Sequence, residues 1–289
     1  MENNIELPLK EQEQVVNQQI LDYIKTNNPY ICILTPCYGG MCNVKYMLSL
    51  IRTIQLLSHY GILYTIELTT NDSLITRARN NLIAKALYNN KHTHIMFIDS
   101  DIAWNPADII LLLLANKPIV GGIYPLKKYH FSNFTNSSHP LSNMTTFINK
   151  KNDNLSTKHL SDQSVISQNL LKYNANFLSN EVVVENNLVE VKTLPTGFMM
   201  IQRHTLITMI DHYQTLKYVD DTNCLLNGEN DYAYSLFNSD IVDNHFYSED
   251  WMFCHRWTLL NGHIFANINI ILSHTGQEDY VGCISSTIQ

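Results

Sequence analysis

Two carboxylates two residues apart, Asp99 and Asp101, directly follow the apolar run His94 to Ile98 in the segment IMFIDSDIAWNP. Ionised acids at the end of a buried strand lose solvation unless a positive group compensates them. A divalent cation does so, because two acids on a turning backbone can converge on one hard ion whose other positions take diphosphate oxygens and water. Taken alone, the three-residue pattern is common and capping of the next helix is its plainer account. Its strand-end position, together with polar sites at later strand and helix ends, favours the metal.

A second acidic pair stands in Tyr247-Ser248-Glu249-Asp250-Trp251. Acids at a helix start often only complement the dipole. Here an indole follows, and Glu249 or Asp250, partly shielded by Trp251, would carry the raised pKa that a general base acting on a hydroxyl needs. His274, in SHTG, is by itself an ordinary surface histidine. Joined to Asp99 and Asp101 it would complete a mixed carboxylate and imidazole shell, which moves the preference from Mg²⁺ toward Mn²⁺. Arg77 and Arg79 in TRARN are either solvated helix residues or bidentate diphosphate contacts. The PCYGG loop has neither the GxGxxG spacing of a dinucleotide site nor the GxxxxGK[ST] of a P-loop. Its small residues and Tyr38 can instead admit and stack a nucleobase. No motif ties Cys37 to a histidine, so it reads as a structural thiol.

These residues need elements to hold them. Residues 1–28, with Val15, Val16, Ile20 and Ile24 at helical spacing, predict a leading helix that packs outside the main body. Tyr30 to Leu34 reads as a buried strand ending in the loop from Thr35 to Gly40. Val44, Met47, Leu48, Ile51, Ile54 and Leu57 predict the buried stripe of an amphipathic helix stopped by Gly61. A strand over 63–68 follows, then a helix capped by Asp72 or Ser73 that buries Leu74, Ile75, Ala78, Leu82, Ile83 and Leu87. His94 to Ile98 is the third strand, Asn105-Pro106 opens a helix through Ala115, and Ile119 to Tyr124 is the fourth strand. The alternation predicts an α/β fold with a mostly parallel open sheet and flanking helices, in which ligands sit at the carboxyl ends of strands.

The stretch 129–180 is polar, without sustained period, and reads as a long insertion. Its Asn-x-Ser/Thr sequons at Asn133, Asn136, Asn143 and Asn154 are given no weight in so Asn-rich a chain. A hairpin over 182–191, a strand over 197–202 feeding a helix from His204, a loop-rich 220–244, the helix that begins near Trp251 and a last strand over 264–272 complete the pattern. No internal repeat or linker divides the chain. The expectation is an N-terminal helical extension over 1–28 and a single composite domain over 29–289.

The chain has 289 residues, 45% of them hydrophobic, enough for a large core. Its 19 Lys plus Arg against 26 Asp plus Glu give a net charge of −7 with no long basic run, which disfavours nucleic acid. Six cysteines without a CxxC pair disfavour a zinc site. The acidic start lacks the character of a signal peptide, which predicts a cytoplasmic, thiol-reducing setting. The longest apolar run, 109–115, is about a third of the roughly 20 residues that a membrane span requires, so no membrane span is expected.

The ordered series TPCYGG, SLITRARN, FIDSDI, VGGIYPLK, PTGFMMI, YSEDWMFCHRW and LSHTG, from about Tyr30 to Gly276, resembles GT-A-type glycosyltransferases with a DxD motif. The resemblance implies a metal-dependent transferase that moves a sugar from a nucleotide-sugar donor, a UDP- or GDP-sugar, to the hydroxyl of a glycan or glycoprotein acceptor, with Mn²⁺ or Mg²⁺ as cofactor. It implies that Asp99 meets the ribose or a metal-bound water, that Asp101 ligates the metal and that His274 is its late ligand. Thr35, Pro36 and Tyr38 would line the base pocket, with Arg77 or Arg79 near the diphosphate and Ser100 also on the donor side. Gly197 would let the donor sugar approach, and Lys127 would contact phosphate or acceptor. In inverting members the last acid is the base, here Asp250, with Glu249 holding acceptor or sugar; retaining members need no such base. The Asn-rich composition looks like that of large DNA viruses, which would put the enzyme in host cytoplasm. Two alternatives are a nucleotidyltransferase, against which stands the absence of a basic residue in PCYGG, and a non-catalytic glycan-binding protein on a degenerate transferase fold.

Overall fold

The computed structural model describes residues 9–129, 140–153, 158, 160–179, 181–226, 228–276 and 279–286. Helix α1 (Leu9–Asn27) turns Ile20 into the core. Strand β1 (Tyr30–Cys37) runs on through Thr35 and Pro36, further than the apolar run suggests, because β2 pairs with it to its last residue. Between them lies α2 (Val44–His59), and β2 itself spans Leu63–Thr70. Helix α3 (Ile75–Tyr88) leads to β3 (His94–Ile98), which pairs parallel with β1 on its other side. Strands β1 and β3 are apolar at successive positions because both faces of the sheet are covered there, whereas β2, at the sheet edge, is only half-buried. Ile31, Ile33, Met96 and Ile98 enter one core layer, and Cys32, Leu34, Ile95 and Phe97 enter the other.

After the short β4 (Ile102–Ala103) comes α4 (Pro106–Ala115). The Asn105 side chain accepts from the Ala107 amide at 3.1 Å while Asp108 accepts from the Asn105 amide at 3.0 Å, so side chains of the first turn and the cap satisfy amides at the helix start. Left-handed Asn116 ends the helix. Strand β5 (Ile119–Gly121) stops three residues before the predicted end, at Gly121, and β6 (Pro125–Tyr129) follows. The polar stretch is not structureless: α5 (Pro140–Asp153), α6 (Asp162–Asn169), β7 (Leu171–Tyr173) and β8 (Asn176–Phe177) form within it. Helix α6 is set by a cap, the Ser164 amide donating to Ser161 Oγ at 3.1 Å, and by burial of Val165, signals too local to register as a period. Asn133, Asn136 and Asn154 lie outside the described residues, and Asn143 falls within α5.

Strands β9 (Val184–Glu185) and β10 (Leu188–Thr193) make the expected hairpin, turned by left-handed Asn186 and Asn187. Then come β11 (Phe198–Gln202), α7 (Arg203–His212), the hairpin β12 (Asp240–Val242) and β13 (His245–Tyr247), and α8 (Glu249–Leu259). The last predicted strand is two strands, β14 (Phe265–Asn267) and β15 (Leu272–Thr275). The break follows Asn267, whose side chain accepts from the Asn269 amide at 3.0 Å and bends the backbone out of the ladder. The chain's last described strand is β16 (Asp279–Gly282).

The main sheet has the order β2-β1-β3-β11-β5-β14-β10-β8, with β9 beside β10. The α/β expectation holds, with most strands running one way, but the sheet is mixed: β11 is antiparallel to β3 and β5, and β10 to β14, β8 and β9. Antiparallel β11 therefore brings its N-terminal end, at Gly197, against the carboxyl end of β3. A separate ribbon, β16-β15-β4, stands beside it. No described helix is long and apolar enough to cross a membrane.

Helix α2 overturns one expectation. The first four members of its predicted core stripe, Val44, Met47, Leu48 and Ile51, are all exposed, whereas Ile54 is half-buried and Leu57 is in the core as expected. The buried positions are Tyr46, Ser49, Thr53 and Leu57, at helical spacing of their own. Hydroxyls rather than hydrocarbon anchor that face: Ser49 Oγ donates to the Trp104 carbonyl at 2.9 Å, Trp104 Nε1 donates to Thr53 Oγ1 at 2.9 Å, and Thr35 Oγ1 and the Tyr46 hydroxyl are 2.7 Å apart. Likewise Leu74 and Ile75, expected inside α3, are exposed.

Gly121 lies so close to β11 that an added Cβ would stand 2.2 Å from the Phe198 carbonyl oxygen. Gly121→Ala is therefore expected to lower stability by at least about 1–3 kcal/mol, read as a lower urea midpoint at unchanged m.

Candidate active site

The ladder between β3 and β11 continues past both strands into the site, where the Asp99 amide donates to the Gly197 carbonyl at 3.0 Å. Gly197 has to be small. A Cβ there would stand 2.6 Å from both Asp99 Oδ2 and the Tyr124 hydroxyl. Asp99 is aimed inward at Arg79, whose Nη2 donates to Oδ1 at 3.1 Å, and Arg79 Nε lies 3.5 Å from Glu249 Oε1. Arg79 is only 4% exposed, and two of its nitrogens, Nε and Nη1, have no hydrogen-bond partner among the described residues. Burial opposes its charge, but Asp99 and Glu249 outweigh burial and hold its pKa above the ordinary value.

On α8, burial pushes the Glu249 pKa up, against the pull of Arg79 and with the push of Asp250. The upward shift expected of Glu249 is therefore present. Asp250 is buried at the first turn, where its Oδ1 accepts from Ser248 Oγ and from the Trp251 amide, the latter at 2.9 Å. Those bonds fix the carboxylate's orientation.

Two residues beyond Asp99 the backbone turns into β4, and β15 pairs with β4 antiparallel, His274 opposite Ile102 and the Thr275 amide donating to the Asp101 carbonyl at 2.9 Å. This ribbon sets His274 Nε2 3.5 Å from Asp101 Oδ2. His274 Nδ1 is 2.8 Å from the Pro125 carbonyl, which can only accept, so Nδ1 carries a proton and the ring is oriented with Nε2 toward the acid. Lys127 Nζ donates to the same Oδ2 at 2.5 Å. Burial raises the Asp101 pKa, but hydrogen bonds from His274 and Lys127 prevail and bring it down to about 2. Tyr124, buried, packs edge-on against His274 with ring centroids 5.0 Å apart. Burial, followed by Asp99, lifts its hydroxyl pKa well above the ordinary tyrosine value.

Not every predicted residue joins this cluster. Arg77 is held by Asp72, Nε to Oδ2 at 3.0 Å and Nη2 to Oδ1 at 2.9 Å. Thr35 is fully buried on Tyr46, Pro36 lies within β1, and Tyr38 is 73% exposed. Ser100 contributes its carbonyl, which accepts from the Asn43 amide at 2.8 Å. Asp99 is turned to Arg79 rather than to Asp101 and His274, and among the described residues no group of three His, Cys, Asp or Glu side chains is gathered to hold a metal. Sequence reading passed over Tyr124 altogether. The signal for it was the aromatic at the end of the Gly-Gly-Ile-Tyr-Pro run, where the chain leaves the sheet.

No protein-family model and no curated protein matches the chain. Among solved structures it is similar to one described as A197 from STIV, with 12% sequence identity, a TM-score of 0.41 and 86% of each chain covered.

Two outcomes follow from the charge arrangement. Arg79→Met strands Asp99 and Glu249 without their cation and is expected to cost about 3–5 kcal/mol, part of which Arg79→Met/Asp99→Asn regains in chemical denaturation. Asp101, ordinarily near 3.8, is depressed to about 2 in the folded protein. Its contribution is complete above about pH 4 and is lost as pH falls through 2, so Asp101→Asn should show a smaller loss of stability than the wild type across that window.

Proposed function

We propose that the protein is a glycosyltransferase of GT-A type that uses a divalent cation to move a sugar from a UDP- or GDP-sugar to an acceptor hydroxyl. The observation that carries this reading is the meeting of Asp101 and His274, remote in sequence, at the carboxyl end of β3 and beside the cluster that holds Glu249 and Asp250. Strand ends of an α/β sheet are where such folds bind ligands.

The donor set suits a cation. A carboxylate oxygen and an imidazole nitrogen lie side by side, the imidazole tautomer is fixed by a backbone carbonyl, and Lys127 already places a positive charge on Oδ2. Asp101 and His274 would hold the ion, with phosphate oxygens completing its shell, and the mixed oxygen and nitrogen donors favour Mn²⁺. When bound, the cation supplies charge compensation for the departing nucleoside diphosphate.

The chain's own groups do the rest. Arg79, in a buried setting, pairs with Asp99 and Glu249 and holds both side chains in place. Gly197 lets Asp99 and the Tyr124 hydroxyl pack against the backbone where any side chain would collide with both. Asp250, with Oδ1 occupied by Ser248 and Trp251, presents its other oxygen to take the acceptor hydroxyl's proton as that oxygen attacks the anomeric carbon. Glu249 is committed to Arg79 and orients acceptor or sugar.

Thermal shift with UDP- and GDP-sugars, with and without Mn²⁺, tests the reading. A rise of several degrees at about 100 times Kd should require nucleotide sugar and metal together and vanish in Asp101→Ala. An unchanged response in that variant rejects the assignment. Asp250→Asn should abolish transfer and keep donor binding; loss of donor binding would contradict the base role.

A further inference from the structure

A second concavity opens where the β12–β13 hairpin leans over β8 and β10. It has a volume of about 460 Å³, inside the roughly 300–1,000 Å³ of ordinary ligand clefts. Five rings of the described residues line it: Phe177 from the sheet edge, His245, Phe246 and Tyr247 from the hairpin, and Trp251 from α8. Tyr247 and Trp251 stand nearly perpendicular, centroids 5.8 Å apart at 86°, so the walls turn a corner. Phe246 is 70% exposed and placed at the lip by pairing with Ile241. Polar groups alternate with the rings. Asn176 Nδ2 donates to Thr193 Oγ1 at 2.7 Å on the floor, and Lys192 is the only lysine or arginine among the described residues of the lining.

What is missing from this lining decides the ligand class. Among the described residues it holds no aliphatic side chain of the Leu, Ile, Val or Met kind, as a groove for a peptide helix or an acyl chain would, and no carboxylate. One cation is too few for a polyphosphate or a nucleic-acid backbone. Aromatic faces interspersed with hydrogen-bonding side chains suit a molecule that is apolar on its ring faces and hydroxylated around its rim. A pyranose is such a molecule. Two of its walls, Tyr247 and Trp251, flank Ser248, Glu249 and Asp250 in the chain, so the cleft is next to the acidic pair in sequence.

We infer that this cleft binds a saccharide, its sugar rings stacked on Trp251, Tyr247, Phe246 and Phe177, and that it is where the acceptor enters. Calling the saccharide an acceptor rests on the transferase reading; the binding of sugar does not.

Saturation-transfer NMR on the full chain tests it, with disaccharides of glucose, galactose, mannose and N-acetylglucosamine as probes, each with and without Mn²⁺ plus UDP or GDP. At least one probe should receive saturation at its ring C–H protons. Its affinity should fall about five- to tenfold in Phe246→Ala and in Trp251→Ala, and stay near wild type in Trp251→Phe. Phe246 is on an exposed hairpin, so its variant folds even where the tryptophan variant does not. No transfer to any probe, or equal affinity in Phe246→Ala and the wild type, overturns the inference. The donor thermal shift, run in parallel, separates the two readings. Ring-dependent sugar binding without metal-dependent donor stabilisation supports the cleft and rejects the transferase; donor stabilisation without sugar binding does the reverse.

Discussion

A buried guanidinium is the point on which the site's architecture turns. Arg79 enters from the first turns of α3, has almost no access to water, and stands between an acid from the end of β3 and one from the start of α8. Removing a cation from water costs several kcal/mol, and only close anionic partners offset it. The requirement is mutual. Asp99 and Glu249 are tolerated in a poorly hydrated place because Arg79 is there, and three elements distant in sequence are thereby tied at one location. Gly197 contributes by absence, since a methyl group there would collide with Asp99 and Tyr124.

Beside this closed cluster lies a more open one. Asp101, His274 and Lys127 are partly accessible, and two positively disposed groups share one carboxylate oxygen. The two clusters use the neighbouring acids of one motif for different ends, Asp99 inward on a permanent charge and Asp101 outward on groups that can be exchanged. A pair of carboxylates two residues apart on a turning chain can divide in this way because the first is still held by the β3–β11 ladder while the second has passed into the ribbon.

Much of the fold was legible in the sequence where local and global preferences agree. β3 was read to the residue because HIMFI is buried on both faces, and α4 because Asn105, Pro106 and Asp108 form a complete start signal. The α2 face was misread because apolar periodicity reports a stripe and not which way it points; Ser49 and Thr53, which look like surface residues, are the inner ones because Trp104 offers them hydrogen bonds. The reversed direction of β11 left no trace in its own apolar sequence, since it is buried on both faces either way. At the site, Asp99, Asp101, Glu249, Asp250 and His274 were found by type and position at element ends. Arg79 could not be told from Arg77, because both sit on the same helix and only the fold shows that one is buried while the other is satisfied by Asp72. Lys127 was named only through the family resemblance and Tyr124 was given no role, because the place of both depends on where the chain goes after β5.

The ribbon that delivers His274 is short, two paired positions between β15 and β4, extended on its other side by four with β16. Successive side chains of a strand alternate between its faces. Sliding β15 by a single residue would point the imidazole away from Asp101 and leave a hydroxyl, from Ser273 or Thr275, in its stead. The placement of the imidazole therefore depends on the last strands of the chain pairing in one alignment, and a polypeptide still lacking them, part-way through synthesis, holds every acid of the site and none of its imidazole.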